Sequence, residues 1–187
     1  MTTHATIPTT FGSALRRLYF IRFAFAIVWA VLVFTTATTA GPALTILLIV
    51  YPLFDAAAVL WQIRANPDPA RSTVAERVNV VVSVIVAVAL GVASTQSIGA
   101  VLVVWGVWAI GAGIPQLLAA IRNRSSGGQV AQMLSGGLSV VVGGAFLLQG
   151  IQGVQLITGT AGYAVLGGVF FLASALRLGS VLRTREG

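Results

Sequence analysis

Residues 16–64 read RRLYFIRFAFAIVWAVLVFTTATTAGPALTILLIVYPLFDAAAVLWQIR. Two apolar stretches, Leu18–Ala37 and Pro42–Ile63, flank the uncharged gap Thr38–Gly41, and arginines bound the unit on both sides. Each stretch has about 20 residues, the length a helix needs to cross a hydrocarbon core of about 30 Å. Four more follow: Val74–Ala93, Ile98–Ile121, Val130–Gly150 and Val154–Leu176. The odd gaps, Thr38–Gly41, Ser94–Ser97 and the surroundings of Gln152–Gly153, carry no charge. The even gaps and both ends carry the arginines: Arg16 and Arg17, then Arg64, Arg71 and Arg77, then Arg122 and Arg124, then Arg183 and Arg185. By the positive-inside rule this alternation predicts six membrane spans with both termini in the cytoplasm.

Composition agrees. The 187 residues are 57% hydrophobic and 8% charged, against about 25% charged in soluble domains. The spans leave no length for a soluble domain. The expected organisation is a polar tail over residues 1–15, the stretch Met1–Thr10 within it disordered, and one membrane domain over residues 16–187. A net charge of +7 would suggest nucleic acid in a soluble protein. Here the arginines map onto span ends, so they read as topology signals and partners for anionic lipid headgroups. All eleven basic residues are arginine, which with the abundant Ala, Val and Gly suits a GC-rich bacterial genome. The expected location is therefore a bacterial inner membrane. The first span is too long for a signal-peptide h-region and lacks an A-x-A cleavage site, so it reads as retained.

The chain has no cysteine and one histidine, His4, in the N-terminal tail. Disulfides, thiolate metal sites and Cys nucleophiles are excluded, and no His-based centre is expected. There is no Ser/His/Asp set, no paired carboxylates, no phosphate-binding loop and no metal-ligand spacing. The reading is of a non-enzymatic protein with no cofactor.

Three stretches align: FDAAAVLWQIR from Phe54, AGIPQLLAAIR from Ala112 and GGVFFLASALR from Gly167. Asp55, Gly113 and Gly168 each precede an arginine by nine residues. Spacing, topology and terminal arginine together predict three two-helix hairpin repeats, about 16–70, 71–126 and 127–187. Repeats of two spans keep their orientation, so the expected fold is an all-α, pseudo-threefold bundle, with tight outer connections making hairpin partners close neighbours. Asn66-Pro67-Asp68-Pro69 breaks the chain after the second span. Thr73-Val74-Ala75-Glu76 reads as a capping box, and Ser125-Ser126-Gly127-Gly128 as a flexible turn.

Lipid gives helices no hydrophobic reason to associate, so small residues should mark their contacts. Ser83, Ala87, Gly91 and Thr95 recur every four residues in the third span, and Ser135, Ser139 and Gly143 in the fifth, where Gly136, Gly137 and Gly144 widen the face. Ala164 and Gly168 are so spaced in the sixth. These stripes read as packing within the monomer, with a homo-oligomer or membrane-protein interface as the alternative. The bulky face of the first span, Phe23, Phe25, Trp29 and Phe34, is expected to face lipid. Tyr19 and Trp61 fall near the inner interface.

Arg22 and Asp55 lie inside spans, where an ionisable residue is a functional candidate by default. Folding the first hairpin at Thr39–Ala40 puts them within about one turn in depth, so an ion pair is expected. That pair is either a structural pin or a polar site. Pro52 lies one turn before Asp55 and cannot bond the Leu48 carbonyl. Tyr51 adds a hydroxyl beside the loosened turn, and Pro115 offers a matching kink after Gly113.

The stretches YFIRFAFAIVWAVLVF, YPLFDAAAVLWQIR and AIGAGIPQLLAAIR, with the Gly-rich third repeat, resemble the HdeD-type acid-resistance membrane proteins, a family of short hydrophobic repeats. The resemblance covers roughly Arg16 to Arg183 and is architectural. It implies a role in acid or envelope stress and carries over no catalytic residue. Asp55 departs from an all-apolar repeat. The alternatives are a small transporter or channel with Arg22–Asp55 as its polar site, and an accessory subunit of a larger membrane complex.

Overall fold

Among the described residues, six helices follow one another in chain order: α1 (Thr9–Thr36), α2 (Pro42–Ala65), α3 (Val74–Ser94), α4 (Ile98–Arg122), α5 (Gln129–Ile151) and α6 (Thr158–Arg183). The structure, a computed structural model, describes residues 9–36, 40–66, 74–122 and 129–184. All six helices are long and apolar enough to cross a membrane, and no strand occurs among the described residues. The protein is an all-α, multi-pass membrane protein.

Local chemistry sets the helix limits. Pro42 stands at the start of α2, where its missing N–H costs nothing. Arg64, Arg122 and Arg183 occupy the last turns of α2, α4 and α6, where the negative end of the helix dipole favours a cation. Gly153, with φ 72°, turns the chain between α5 and α6 in a conformation that suits glycine. That turn delays α6 to Thr158, later than the apolar run from Val154 suggests.

α1 begins at Thr9, so residues 9–15, expected as part of the tail, are helical. No proline interrupts the chain between Pro8 and Pro42, and this first turn is anchored farther on by buried Leu18. His4, Pro67–Pro69, Thr73, Ser125–Gly128, Arg71, Arg124 and Arg185 lie outside the described residues. The Thr73–Glu76 capping box thus falls partly outside the described residues; the Glu76 carboxylate accepts from Gln62 Nε2 of α2 at 3.1 Å.

Cross-helix contacts show that successive helices run antiparallel. Trp29 of α1 meets Leu47 of α2. Thr45 at the start of α2 and Ser94 at the end of α3 share a hydrogen bond of 2.9 Å. The helices form a ring in chain order, and α6 closes it against α1. The start of α1 and the end of α6 thus lie at one end of the bundle, here the terminal end; the opposite end is the hairpin end. Trp29, Leu48, Leu90, Leu102, Trp105 and Ala161 meet inside the ring. Bulky apolar side chains such as Val28, Ile46, Ile85, Val107, Val141 and Leu166 point outward from all six helices, as a hydrocarbon solvent requires.

The closest packing is not within the three expected hairpins. It falls between α4 and α5, α1 and α6, and α2 and α3, while α5 and α6 barely touch. Side-chain size decides this, not loop length. Gly99, Gly106 and Gly113 of α4 face Gly150, Gly143 and Gly136 of α5 in that order. A Cβ on Gly106 would stand 2.6 Å from the Gly143 carbonyl oxygen, one on Gly113 2.8 Å from that of Gly136, and one on Gly150 2.6 Å from that of Gly99. The glycines recur every seven residues in both helices. Two turns at 3.5 residues per turn hold such a seam together along a shallow left-handed crossing.

The small-residue stripes resolve unequally. Ser83, Ala87, Ser139, Ala164 and Gly168 are buried, and Gly168 faces Ala26 Cβ, 3.2 Å from where its own Cβ would be. Ser135 is half-buried and gives its carbonyl to Ser139 Oγ at 2.9 Å. Gly91 meets only the flexible end of Ile49 at 3.1 Å, while Gly137 and Gly144 have nothing within 4 Å. They do not widen the α5 interface, because they lie off the seven-residue seam.

The expectation for α1 is corrected in part. Phe34 is exposed, but Trp29 is buried and Phe25 packs against the core. An indole cannot face lipid cheaply when its N–H has a polar partner inside: Trp29 Nε1 donates to the Leu47 carbonyl at 2.7 Å. Trp29→Phe is expected to cost about 1 kcal/mol for that bond, read as a lower unfolding temperature in detergent; no change would mean that the bond contributes nothing net.

Candidate functional site

Asp55 sits in the terminal half of α2, one turn beyond Pro52. The antiparallel α1 brings Arg22 to the same depth, and Arg22 Nη2 donates to Asp55 Oδ1 in an ion pair. The next helix completes the site. Asp55 Oδ2 accepts from Asn79 Nδ2 at 2.9 Å and from Ser83 Oγ at 3.1 Å, both on α3. The α6 side supplies Phe171, whose ring centroid lies 4.0 Å from the Arg22 guanidinium carbon. A cation over an aromatic face, out of water, is held by the ring quadrupole. One carboxylate therefore joins α1, α2 and α3, and its counter-ion reaches α6.

Rings fill the space around the pair. Phe25 and Phe54 stack with centroids 3.7 Å apart. Tyr51 lies within aromatic contact of Phe25, Trp29, Trp105 and Trp108. Trp29 and Trp105 stack at 5.5 Å on the hairpin side. Trp105 Nε1 is buried with no hydrogen-bond partner among the described residues. Arg22, Phe25, Tyr51, Phe54, Asp55 and Phe171 enclose a cavity of about 20 Å³, room for about one water molecule.

Comparison with family models, curated proteins and solved structures finds no match to this chain.

The expected pair, Arg22 with Asp55, is thus brought together, and Tyr51 lines its cavity. Pro52 is buried beside it. Pro115, its expected counterpart, is exposed on the outside of α4, and Gly113 is consumed by contact with Gly136 and Ser139. Among the described residues the polar site therefore occurs once, as glycine at positions 113 and 168 implies. Asn79 escaped the sequence reading altogether, and Ser83 was read only as a packing residue. The same folding arithmetic, applied to the second connection with its centre at Pro69, places residue 83 opposite residue 55. That signal was available, but a neutral Asn or Ser within a span is too common to stand out.

The arrangement can hold a negative charge against three donors. Among the described residues, no group of three or more His, Cys, Asp or Glu side chains is placed to hold a metal ion.

Proposed function

We propose that this chain is a non-enzymatic protein of the bacterial inner membrane, with its terminal end in the cytoplasm, acting in the response to acid or envelope stress. Within it, the Arg22–Asp55 cluster is the proton-responsive latch. One observation carries the reading: a single intramembrane carboxylate ties three helices together through Arg22, Asn79 and Ser83. Protonation removes the charge that holds these donors, and the ring of helices is the element it loosens. The resemblance to HdeD-type proteins supports the stress role, and the arginines at the terminal end support the orientation. The contacts of Asp55 with Ser83, Gly113 with Ser139 and Gly168 with Ala26 support three repeats about a threefold axis. Anionic lipid headgroups are the proposed partners. Between α1 and α2 a groove lined by Ser13, Arg17, Leu18, Ile21 and Trp61 gives Arg17 room to meet one.

The transporter reading has less support, because Trp29, Tyr51 and Trp105 pack across the ring on the hairpin side of the pair.

Acid survival is the test. A deletion strain should survive acid challenge less well than its parent, and the wild-type gene should restore survival. Asp55→Asn, present in the membrane at wild-type level, should fail to restore it. Full restoration by Asp55→Asn would reduce the cluster to a structural pin; an unaffected deletion strain would overturn the stress role. Orientation is checked in the naturally cysteine-free chain. Cysteines at Thr39, Gln96 and Gln152 should react with impermeant reagents from outside intact cells, and protection of any one would break the topology.

A further inference from the structure

A second polar region lies between α5 and α6. These helices touch through Phe146 and Tyr163, whose rings meet edge to face at 6.1 Å. Tyr163 Oη also donates to Ser139 Oγ at 2.9 Å. Toward the terminal end they part and leave a crevice of about 290 Å³. Its polar lining comes from four helices: Tyr19 of α1, Gln116 of α4, Gln132 and Ser135 of α5, and Ser174 of α6. Gln116 Nε2 donates to Gln132 Oε1 at 3.2 Å, and both amides line the crevice. Polar groups facing hydrocarbon would be costly, whereas a crevice of this size has room for several water molecules. Phe171 lines both this crevice and the small cavity around Arg22 and Asp55. Its ring lies between Tyr19, stacked at 6.0 Å, and the Arg22 guanidinium.

We infer that the α5–α6 crevice is a hydrated vestibule through which protons pass from the terminal end to Asp55, with Phe171 as the partition. The inference rests on the reading of Asp55 as the proton-binding group. Hydronium gives its proton to Asp55 Oδ2; an O–H bond forms there and a water molecule is released. Of the donor atoms on the carboxylate, only Ser83 Oγ can also accept, so it receives the new O–H, while Arg22 and Asn79 face a neutral carboxyl that holds them less strongly. The titratable groups that face Asp55 are Arg22 of α1, Tyr51 of its own helix and Tyr163 of α6. α3 faces it with the neutral Asn79 and Ser83. Tyr19, on the crevice side, faces Arg22 and Glu76.

Cysteine reactivity separates the vestibule from the proton site. Ser135→Cys, Ser174→Cys and the outward-facing control Val141→Cys are each placed in the full chain, in vesicles with the terminal end outward. A small charged methanethiosulfonate should label Ser135→Cys and Ser174→Cys readily. Val141→Cys should react on the order of 100-fold more slowly, since the reactive thiolate needs water. Equal slowness at all three sites overturns the vestibule. Infrared difference spectra of the wild-type protein on acidification then test the proton. A carboxyl band absent from Asp55→Asn is expected, and it should rise several-fold faster after a pH jump in Phe171→Leu. If the cysteines react but no such band appears, proton delivery is overturned and the crevice is hydrated for another reason. An unchanged rate in Phe171→Leu removes the partition role.

Discussion

Gly143→Leu and Gly106→Leu each break the α4–α5 pair. A leucine at either position must displace backbone: the Gly106 carbonyl oxygen stands 2.8 Å from the Cβ position of residue 143, and the Gly143 oxygen 2.6 Å from that of residue 106. Backbone cannot swing aside as a side-chain end can, so the helices must separate along the whole seam. The expected cost is about 3 kcal/mol or more, at the upper end of overpacking. Gly137→Leu and Gly144→Leu are the matched controls on the same helix, with open space at the Cβ position. They should change stability by less than about 0.5 kcal/mol. Gly91→Leu should fall between, because Ile49 can give way. Thermal unfolding in mild detergent reads all five. If Gly143→Leu and Gly144→Leu melt together, the seven-residue seam is not the interface.

Asp55→Asn and Arg22→Gln should each destabilise the protein strongly, on the order of 3 kcal/mol, because each leaves the other charge buried and unpaired. The double variant removes both charges and should cost less than the two single costs added together. The coupling should be at least about 0.6 kcal/mol, the average for polar pairs between membrane helices. Asn79→Ala and Ser83→Ala each remove one donor from Oδ2 and should cost about 1 kcal/mol, less than loss of the ion pair. Additivity of the Arg22 and Asp55 changes would show that the pair contributes no mutual stabilisation.

The residues differ in how much they reveal before folding. The limits of α2, α3, α4 and α5 follow from hydropathy and breakers to within one or two residues. A span must be continuously apolar, and the polar gaps that end it are unambiguous. The Arg22–Asp55 pair was legible for a related reason. Two opposite charges in apolar helices have few places to go, and a hairpin fixes depth by counting. Gly137 and Gly143 could not be told apart in that way. Among 21 glycines many spacings coexist, and only the crossing of α4 over α5 selects the set at every seventh position. Trp29 was misplaced because an aromatic ring is equally at home in lipid and in a core, and its hydrogen bond to Leu47 depends on where α2 lies.

The sequence alone therefore determined the class, the number of spans and the two charges that must meet. Water and hydrocarbon are different solvents, and one chain's pattern of apolar runs and arginines records which of them each residue needs. Only the tertiary structure decided which helices approach most closely, that Asn79, Ser83 and Phe171 complete the site, and that Tyr19, Gln116, Gln132, Ser135 and Ser174 share one crevice. Those are relations between faces of different helices. Inside a bundle the solvent is other side chains, and their positions exist only once the helices have packed.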